Sequence, residues 1–88
     1  MYFNKNDLIR LFCDGMDKGK GSNLYIDENK LINYTTIIAL WDNGRLLLNN
    51  DYYSSTTSRN QNLIRRYANH YTEVTENEIY AIAYKSVA

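Results

Sequence analysis

The spacing of apolar positions changes character twice along this chain. In Asn6-Asp7-Leu8-Ile9-Arg10-Leu11-Phe12-Cys13-Asp14-Gly15-Met16, residues Leu8, Leu11 or Phe12, and Met16 recur at helical intervals behind an Asn/Asp start. This predicts a short amphipathic helix within residues 1–18. Lys18-Gly19-Lys20-Gly21-Ser22 follows, with glycines suited to ending a helix, and reads as a hinge or linker. From Asn23 to Asn50 β-branched and aromatic residues dominate, and three strands are expected: Leu24-Tyr25-Ile26, Lys30 through Trp41, and Arg45 through Asn49. Asp27-Glu28-Asn29-Lys30 supplies the first turn. Asp42-Asn43-Gly44 supplies the second, because Asn-Gly provides the positive φ angles that a two-residue hairpin demands. That turn puts Trp41 and Arg45 at its flanks, Ile37 and Ala39 on one face of the strand, and Ile38 and Leu40 on the other. Both faces are apolar, so the strand must be covered on both sides.

Helical spacing then returns. The hydroxyl run Ser54-Ser55-Thr56-Thr57-Ser58 precedes a helix predicted over 57–71. Ser58 and Gln61 stand at capping-box spacing, and Asn60, Leu63 or Ile64, Tyr67 and Tyr71 form one side. Arg59, Arg65 and Arg66 lie opposite. Thr75-Glu76-Asn77-Glu78 is a second capping-box pattern and opens a terminal helix over 75–87 carrying Ile79, Ile82, Ala83 and Val87. Alternation of Tyr80, Ile82 and Tyr84 with Ala81 and Ala83 offers a strand as the competing reading. The whole describes an α+β domain spanning 1–88: an N-terminal helix, a three-stranded antiparallel sheet over 23–50, then two helices.

Composition narrows the function classes. With 88 residues and 44% hydrophobic side chains, the chain has one core's worth of apolar surface. Ten basic and ten acidic residues cancel, which disfavours both general phosphate binding and mimicry of DNA by a carboxylate surface. Nine tyrosines against two phenylalanines suit half-buried surfaces and interfaces, although an AT-rich genome produces the same bias. No apolar run approaches the ~20 residues that cross a bilayer. One cysteine makes no internal disulfide and no secretory pattern opens the chain, so a reducing cytoplasm is expected.

Little in the chain points to an active centre. One His and one Cys do not furnish a zinc site, and no cofactor is expected. Lys18-Gly19-Lys20-Gly21 lacks the GxxxxGK pattern of a phosphate loop. Cys13 and His70 are the one nucleophile and base pair available, yet a lone Cys on an apolar helix face is ordinarily core, and His70 suits the C-terminal end of the basic helix. Asp27 and Glu28 adjoin in a turn, where carboxylates are solvated. What remains is the hydroxyl run with Arg59, Arg65 and Arg66, in a stretch from Tyr52 to Thr72 that contains no acid inside a neutral protein. It reads either as a capped, solvated surface helix or as a face for phosphates or an acidic protein.

Asn33-Tyr34-Thr35-Thr36-Ile37-Ile38-Ala39, then Asn43-Gly44, Leu48-Asn49 and Tyr53-Ser54-Ser55-Thr56-Thr57-Ser58-Arg59-Asn60-Gln61, together resemble a family of short proteins carried by phages and plasmids of low-GC bacteria. The similarity spans residues 23 to about 72. Asn60 departs from the histidine expected before Gln61 in that pattern. Similar domains are associated with anti-CRISPR proteins, so the resemblance implies a host-defence antagonist acting in the bacterial cytoplasm, with a Cas effector as partner. Non-enzymatic, stoichiometric inhibition accords with the small size, neutral charge and aromatic content. Trp41, Tyr52, Tyr53, Thr57, Arg59, Arg65 and Arg66 are the expected partner-binding residues. The alternative is a nucleic-acid-binding accessory protein using the basic helix. A third reading completes an enzyme site across a homodimer that brings two His70 or Cys13 residues together. Separately, the strand Leu46-Leu47-Leu48, apolar on both faces, is the expected interface of a homodimer.

Overall fold

The computed structural model describes residues 2–85. In chain order these form α1 (Lys5–Cys13), β1 (Lys18–Gly21), β2 (Leu24–Asp27), β3 (Lys30–Asn33), β4 (Thr36–Asp42), β5 (Arg45–Asn49), α2 (Ser55–Tyr67), β6 (Thr72–Val74) and α3 (Glu76–Tyr84). The strands make one six-stranded sheet in sequence order. The first five run as an antiparallel meander, and β6 lies parallel to β5. This corrects the expected three-stranded antiparallel sheet, for three physical reasons.

The predicted strand Lys30 through Trp41 is two strands, folded back at Tyr34-Thr35. All four antiparallel hairpins are closed by two residues, at 22–23, 28–29, 34–35 and 43–44. Asn43 and Gly44 both take positive φ, 51° and 79°, as the sequence predicts. Tyr34 holds φ 58° with no glycine beside it, a conformation uncommon for a bulky side chain. The turn is held by its surroundings: the Tyr34 amide donates to the Asn23 carbonyl at 2.7 Å, and the buried Asn33 side chain donates to the same oxygen at 2.7 Å.

The supposed linker is edge strand β1. Its glycines are there for close approach. A Cβ on Gly19 would stand 2.6 Å from Leu8 Cδ1, and one on Gly21 2.9 Å from the Phe3 carbonyl oxygen. The N-terminal segment lies against this edge, with the Phe3 amide donating to Lys20 at 2.8 Å. Finally, β5, α2 and β6 form a crossover unit, because parallel strands need a long connection and α2 provides it. The strand Leu46-Leu47-Leu48, expected at an interface, is therefore interior and buried, between β4 and β6.

The sheet is covered on both faces, as the apolar hairpin strand requires. Helices α1 and α2 pack together over one face, where Leu8, Ile9, Phe12 and Ile64 meet Leu24, Ile26, Leu31, Leu46 and Leu48. Helix α3 covers β4 and β5 on the other, where Ile79 meets Ile32, Ile37, Leu40 and Leu47. The expected division of β4, with Ile37 and Ala39 opposed to Ile38 and Leu40, is corrected by a β-bulge. Leu31 pairs with Ala39 but Ile32 with Ile37, so Ile38 is an extra residue. Ile38 and Ala39 consequently both join the α1/α2 core, while Ile37 and Leu40 join the α3 core.

The helix boundaries follow their caps. Asn4 caps α1 by accepting from the Asp7 amide at 2.9 Å, and the helix stops at Cys13, which leaves Met16 outside it and exposed. Ser54, not Ser58, caps α2 by accepting from the Thr57 amide at 3.2 Å. The helix therefore runs Ser55–Tyr67 rather than 57–71, with Tyr71 and the exposed His70 beyond its end. Thr75 and Glu78 form the predicted capping box, which decides residues 79–84 as helix rather than strand. Val87, assigned to that helix from sequence, lies outside the described residues. Among the described residues no helix is long and apolar enough to cross a membrane.

Candidate binding surfaces

Three of the residues singled out as partner contacts are engaged in holding the fold together. Thr57 is buried, and its hydroxyl donates to Asn33 Oδ1 at 2.7 Å, tying α2 to the end of β3. Trp41 Nε1 donates to the Phe12 carbonyl at 2.8 Å while the two rings meet tilted at 6.5 Å, which docks α1 on β4. Tyr53 sits in a polar junction that joins the sheet to α3. Asn49 Nδ2 donates to the Tyr53 hydroxyl at 2.7 Å, and that hydroxyl donates to Glu76 Oε2 at 2.9 Å. Gln61, predicted to cap α2, instead donates to the carbonyls of Asn49 at 2.6 Å and Asp51 at 2.9 Å. Two of the five hydroxyls are spent on the fold, Ser54 capping the helix and Thr57 binding Asn33, while Ser55 and Thr56 are exposed.

Burial, reinforced by the nearby Glu76 and Asp51 charges and opposed by the Asn49 hydrogen bond, pushes the Tyr53 phenol up to about 12. A folded-state value raised above the free value of 10.0 means that the junction contributes its full stability below pH ~10 and loses it as pH rises toward 12. Titration of tyrosinate absorbance at 295 nm should accordingly show one phenol ionising late, coincident with loss of structure, and Tyr53→Phe should remove that late step. Persistence of the step in Tyr53→Phe would assign it elsewhere.

The basic helix divides. Arg65 forks onto Glu73 of β6 through Nε at 3.1 Å and Nη2 at 3.3 Å, and Nη1 donates to Asn62 at 2.9 Å. That hydrogen-bonded pair holds the Glu73 carboxyl below its ordinary value and braces α2 against the neighbouring strand. Arg59 and Arg66 are exposed, two helical turns apart on one face, and neither makes an ion pair among the described residues. Tyr52, at the entry to α2, is 74% exposed. Of the seven expected contacts, then, Tyr52, Arg59 and Arg66 face solvent freely.

A cleft of about 370 Å³ opens elsewhere, where the end of α1, the β4–β5 hairpin and the connection from α2 to β6 converge. Cys13, Trp41, Arg45, Leu46, His70 and Tyr71 contribute to its walls. Cys13 and His70, far apart in sequence, therefore share one cleft. Burial, with the adjacent Asp14 charge, pushes the Cys13 thiol up to about 11, so it stays protonated at neutral pH, the opposite of an activated nucleophile. The Asn43-Gly44 turn is flanked by Asp42 and Arg45, which pair with each other, in place of the expected Trp41 and Arg45; Trp41 pairs with Leu46, which sets Arg45 on the other face of the hairpin. Among the described residues no cluster of three or more His, Cys, Asp or Glu is placed to hold a metal. Comparison of the chain with family models, with curated proteins and with solved structures finds no match in any of the three.

Proposed function

We propose that this protein is a stoichiometric binding antagonist of a bacterial Cas effector, carried by a phage or plasmid and acting in the host cytoplasm without turnover. The partner class comes from the resemblance over residues 23 to about 72. The observation that carries the binding reading is the exposure of aromatic surface on a scaffold with two packed cores: six of the nine tyrosines, Tyr2, Tyr25, Tyr34, Tyr52, Tyr71 and Tyr84, stand open to solvent. Tyrosine combines large contact area with a polar tip and low entropic cost, which makes it a common anchor at protein interfaces. Tyr52, Arg59 and Arg66 form the anchor set, while Trp41, Tyr53, Thr57 and Arg65 support it from within.

Inhibition of target cleavage by purified effector should titrate to an endpoint at a fixed molar ratio. Alanine at Tyr52 or Arg59 should weaken binding by about 2 kcal/mol or more with an unchanged unfolding midpoint. Trp41→Ala should lower the midpoint itself. Uniformly small binding losses at Tyr52, Arg59 and Arg66 would remove this anchor set, and catalytic rather than stoichiometric inhibition would remove the mechanism.

Arg59 and Arg66 give the second reading, a nucleic-acid-binding accessory protein, its specific support. Two unpaired guanidinium groups on one helix face suit contacts to a phosphate backbone. Salt separates the readings, since phosphate binding falls steeply between 50 and 200 mM salt and an aromatic interface does not.

A further inference from the structure

We propose that the uncovered face of β1–β3, on the α3 side of the sheet, binds single-stranded nucleic acid by stacking a base on Tyr25 and holding phosphates with Lys18, Lys20 and Lys30. The register fixes this grouping. A Cβ on Gly19 or Gly21 would meet Leu8 of α1, so by strand alternation Lys18 and Lys20 point to the opposite face. Lys20 stands directly opposite Tyr25, and Tyr25 opposite Ile32 of the α3 core. Lys18 stands opposite Asp27, Asp27 opposite Lys30, and Lys30 opposite Leu40 of that same core. Directly opposed residues share a face with Cβ atoms about 5 Å apart, so cation and aromatic ring are neighbours here.

Helix α3 packs over β4 and β5 and leaves β1 and β2 open on this side. Lys18, Lys20, Tyr25 and Asp27 are exposed, Tyr25 at 41%, and Lys30 is half-buried. Tyr80 of α3 carries the aromatic row onward: its hydroxyl accepts from the amide of Ile37, the partner of Ile32, and its ring meets that of the exposed Tyr84 at 6.1 Å. The charged residues of β1–β3 all lie on this face, three lysines against Asp27, and none of them makes an ion pair among the described residues. The neutral balance of the whole chain does not cancel that local excess, because exposed charges are screened beyond about 8 Å at physiological salt. A single strand offers phosphates and base faces together, whereas a duplex keeps its base faces within the stack, and an open sheet bearing aromatics is a platform for unstacked bases. A second copy is the poorer occupant, since face-to-face packing would set lysines against lysines. The face lies across the sheet from α2, so the proposal stands without Arg59 and Arg66.

The test uses the full chain, labelled with ¹⁵N, titrated with oligothymidylate and oligouridylate of about 12 nucleotides and with a duplex of the same length, at about 50 mM salt. Saturable shifts of the amides of residues 18–20, 25–27 and 30–32 are expected with both single strands, and weaker binding with the duplex. With two or three phosphates held, affinity should fall roughly tenfold between about 50 and 200 mM salt. Tyr25→Ala should weaken binding at least about fivefold, the loss of one stacked base, while Tyr25→Phe retains it. Lys20→Gln should lower affinity and flatten the salt dependence with the amide spectrum elsewhere unchanged, and Arg59→Ala combined with Arg66→Ala should leave this binding intact. Absence of saturation by both single strands at about 1 mM overturns the proposal, as does equal affinity in Tyr25→Ala or tighter binding of the duplex. Shifts confined to α2 would move nucleic-acid binding to Arg59 and Arg66 and overturn it too. Shifts at residues 18–32 that follow protein concentration alone would give the face to a second copy, with the same consequence.

Discussion

Replacing Phe12 by alanine is expected to cost about 3–5 kcal/mol of stability, the range for truncating a buried aromatic side chain. Phe12 has no exposed surface, and it is the residue of α1 that reaches both the sheet and the aromatic wall of the cleft. Its loss removes the transfer energy of the ring and leaves a cavity between Leu8, Ile9 and Trp41 that a short, well-anchored helix closes only in part. At roughly 0.05–0.15 kcal/mol per residue, a chain of 88 residues is stable by on the order of 4–13 kcal/mol, so the change consumes about a quarter of the total or more. Urea unfolding followed by Trp41 fluorescence measures it directly. The midpoint should fall sharply with an unchanged slope, and the native emission should shift red because Trp41 loses its covering ring. Phe12→Leu, which keeps part of the apolar volume, should cost less than Phe12→Ala. A loss below about 1 kcal/mol in Phe12→Ala would mean that α1 is not an integral part of the core.

The elements that could be read from the sequence are those whose determinants are local. The Thr75 and Glu78 box, the Asn43-Gly44 turn and the helical spacing of Leu8 and Phe12 in α1 each lie within a few residues, and each is observed. The missed elements depend on partners distant in sequence. Lys18-Gly19-Lys20-Gly21 has no side-chain pattern of a strand, because what is required there is the absence of side chains beside Leu8 and Phe3. Strand β6 is only three residues long and pairs in parallel with β5 across the whole of α2, so no local period announces it. The break at Tyr34 lacks glycine, and the bulge at Ile38 shifts the alternation that would otherwise separate the two faces. The same distinction governs the candidate sites. The exposed Arg59 and Arg66 are visible from helical spacing, whereas the pairing of Arg65 with Glu73 and the meeting of Cys13 with His70 require the tertiary fold.

Alanine at Asn49 carries the second large expected effect, about 2–4 kcal/mol, from unsatisfied polar groups in place of lost packing. Asn49 is fully buried at the end of β5, and its one side chain serves three partners, in β4 and in the loop that leads to α2. Its Nδ2 donates to the Ile37 carbonyl at 3.0 Å and to the Tyr53 hydroxyl at 2.7 Å, while its Oδ1 accepts from the Asp51 amide at 3.0 Å. Truncation strands these groups where water has little access, and leaving a buried donor or acceptor unpaired costs about 1–3 kcal/mol. The damage should spread in a defined direction. Asp51 Oδ2 accepts from the Glu76 amide at 3.0 Å and Tyr53 donates to Glu76, so the loop from β5 to α2 and the first turn of α3 lose their common support. Hydrogen exchange should therefore accelerate most at residues 50–54 and 75–79, and less in α1 on the opposite face. Asn49→Asp tests the role of the donors: it keeps an acceptor for Asp51 but removes both Nδ2 donations and buries a charge beside Glu76, so it should be at least as destabilising as alanine. If Asn49→Leu proved neutral, replacement of the polar side chain by an apolar one of similar volume would have sufficed, and this junction would be a packing site whose hydrogen bonds add nothing net.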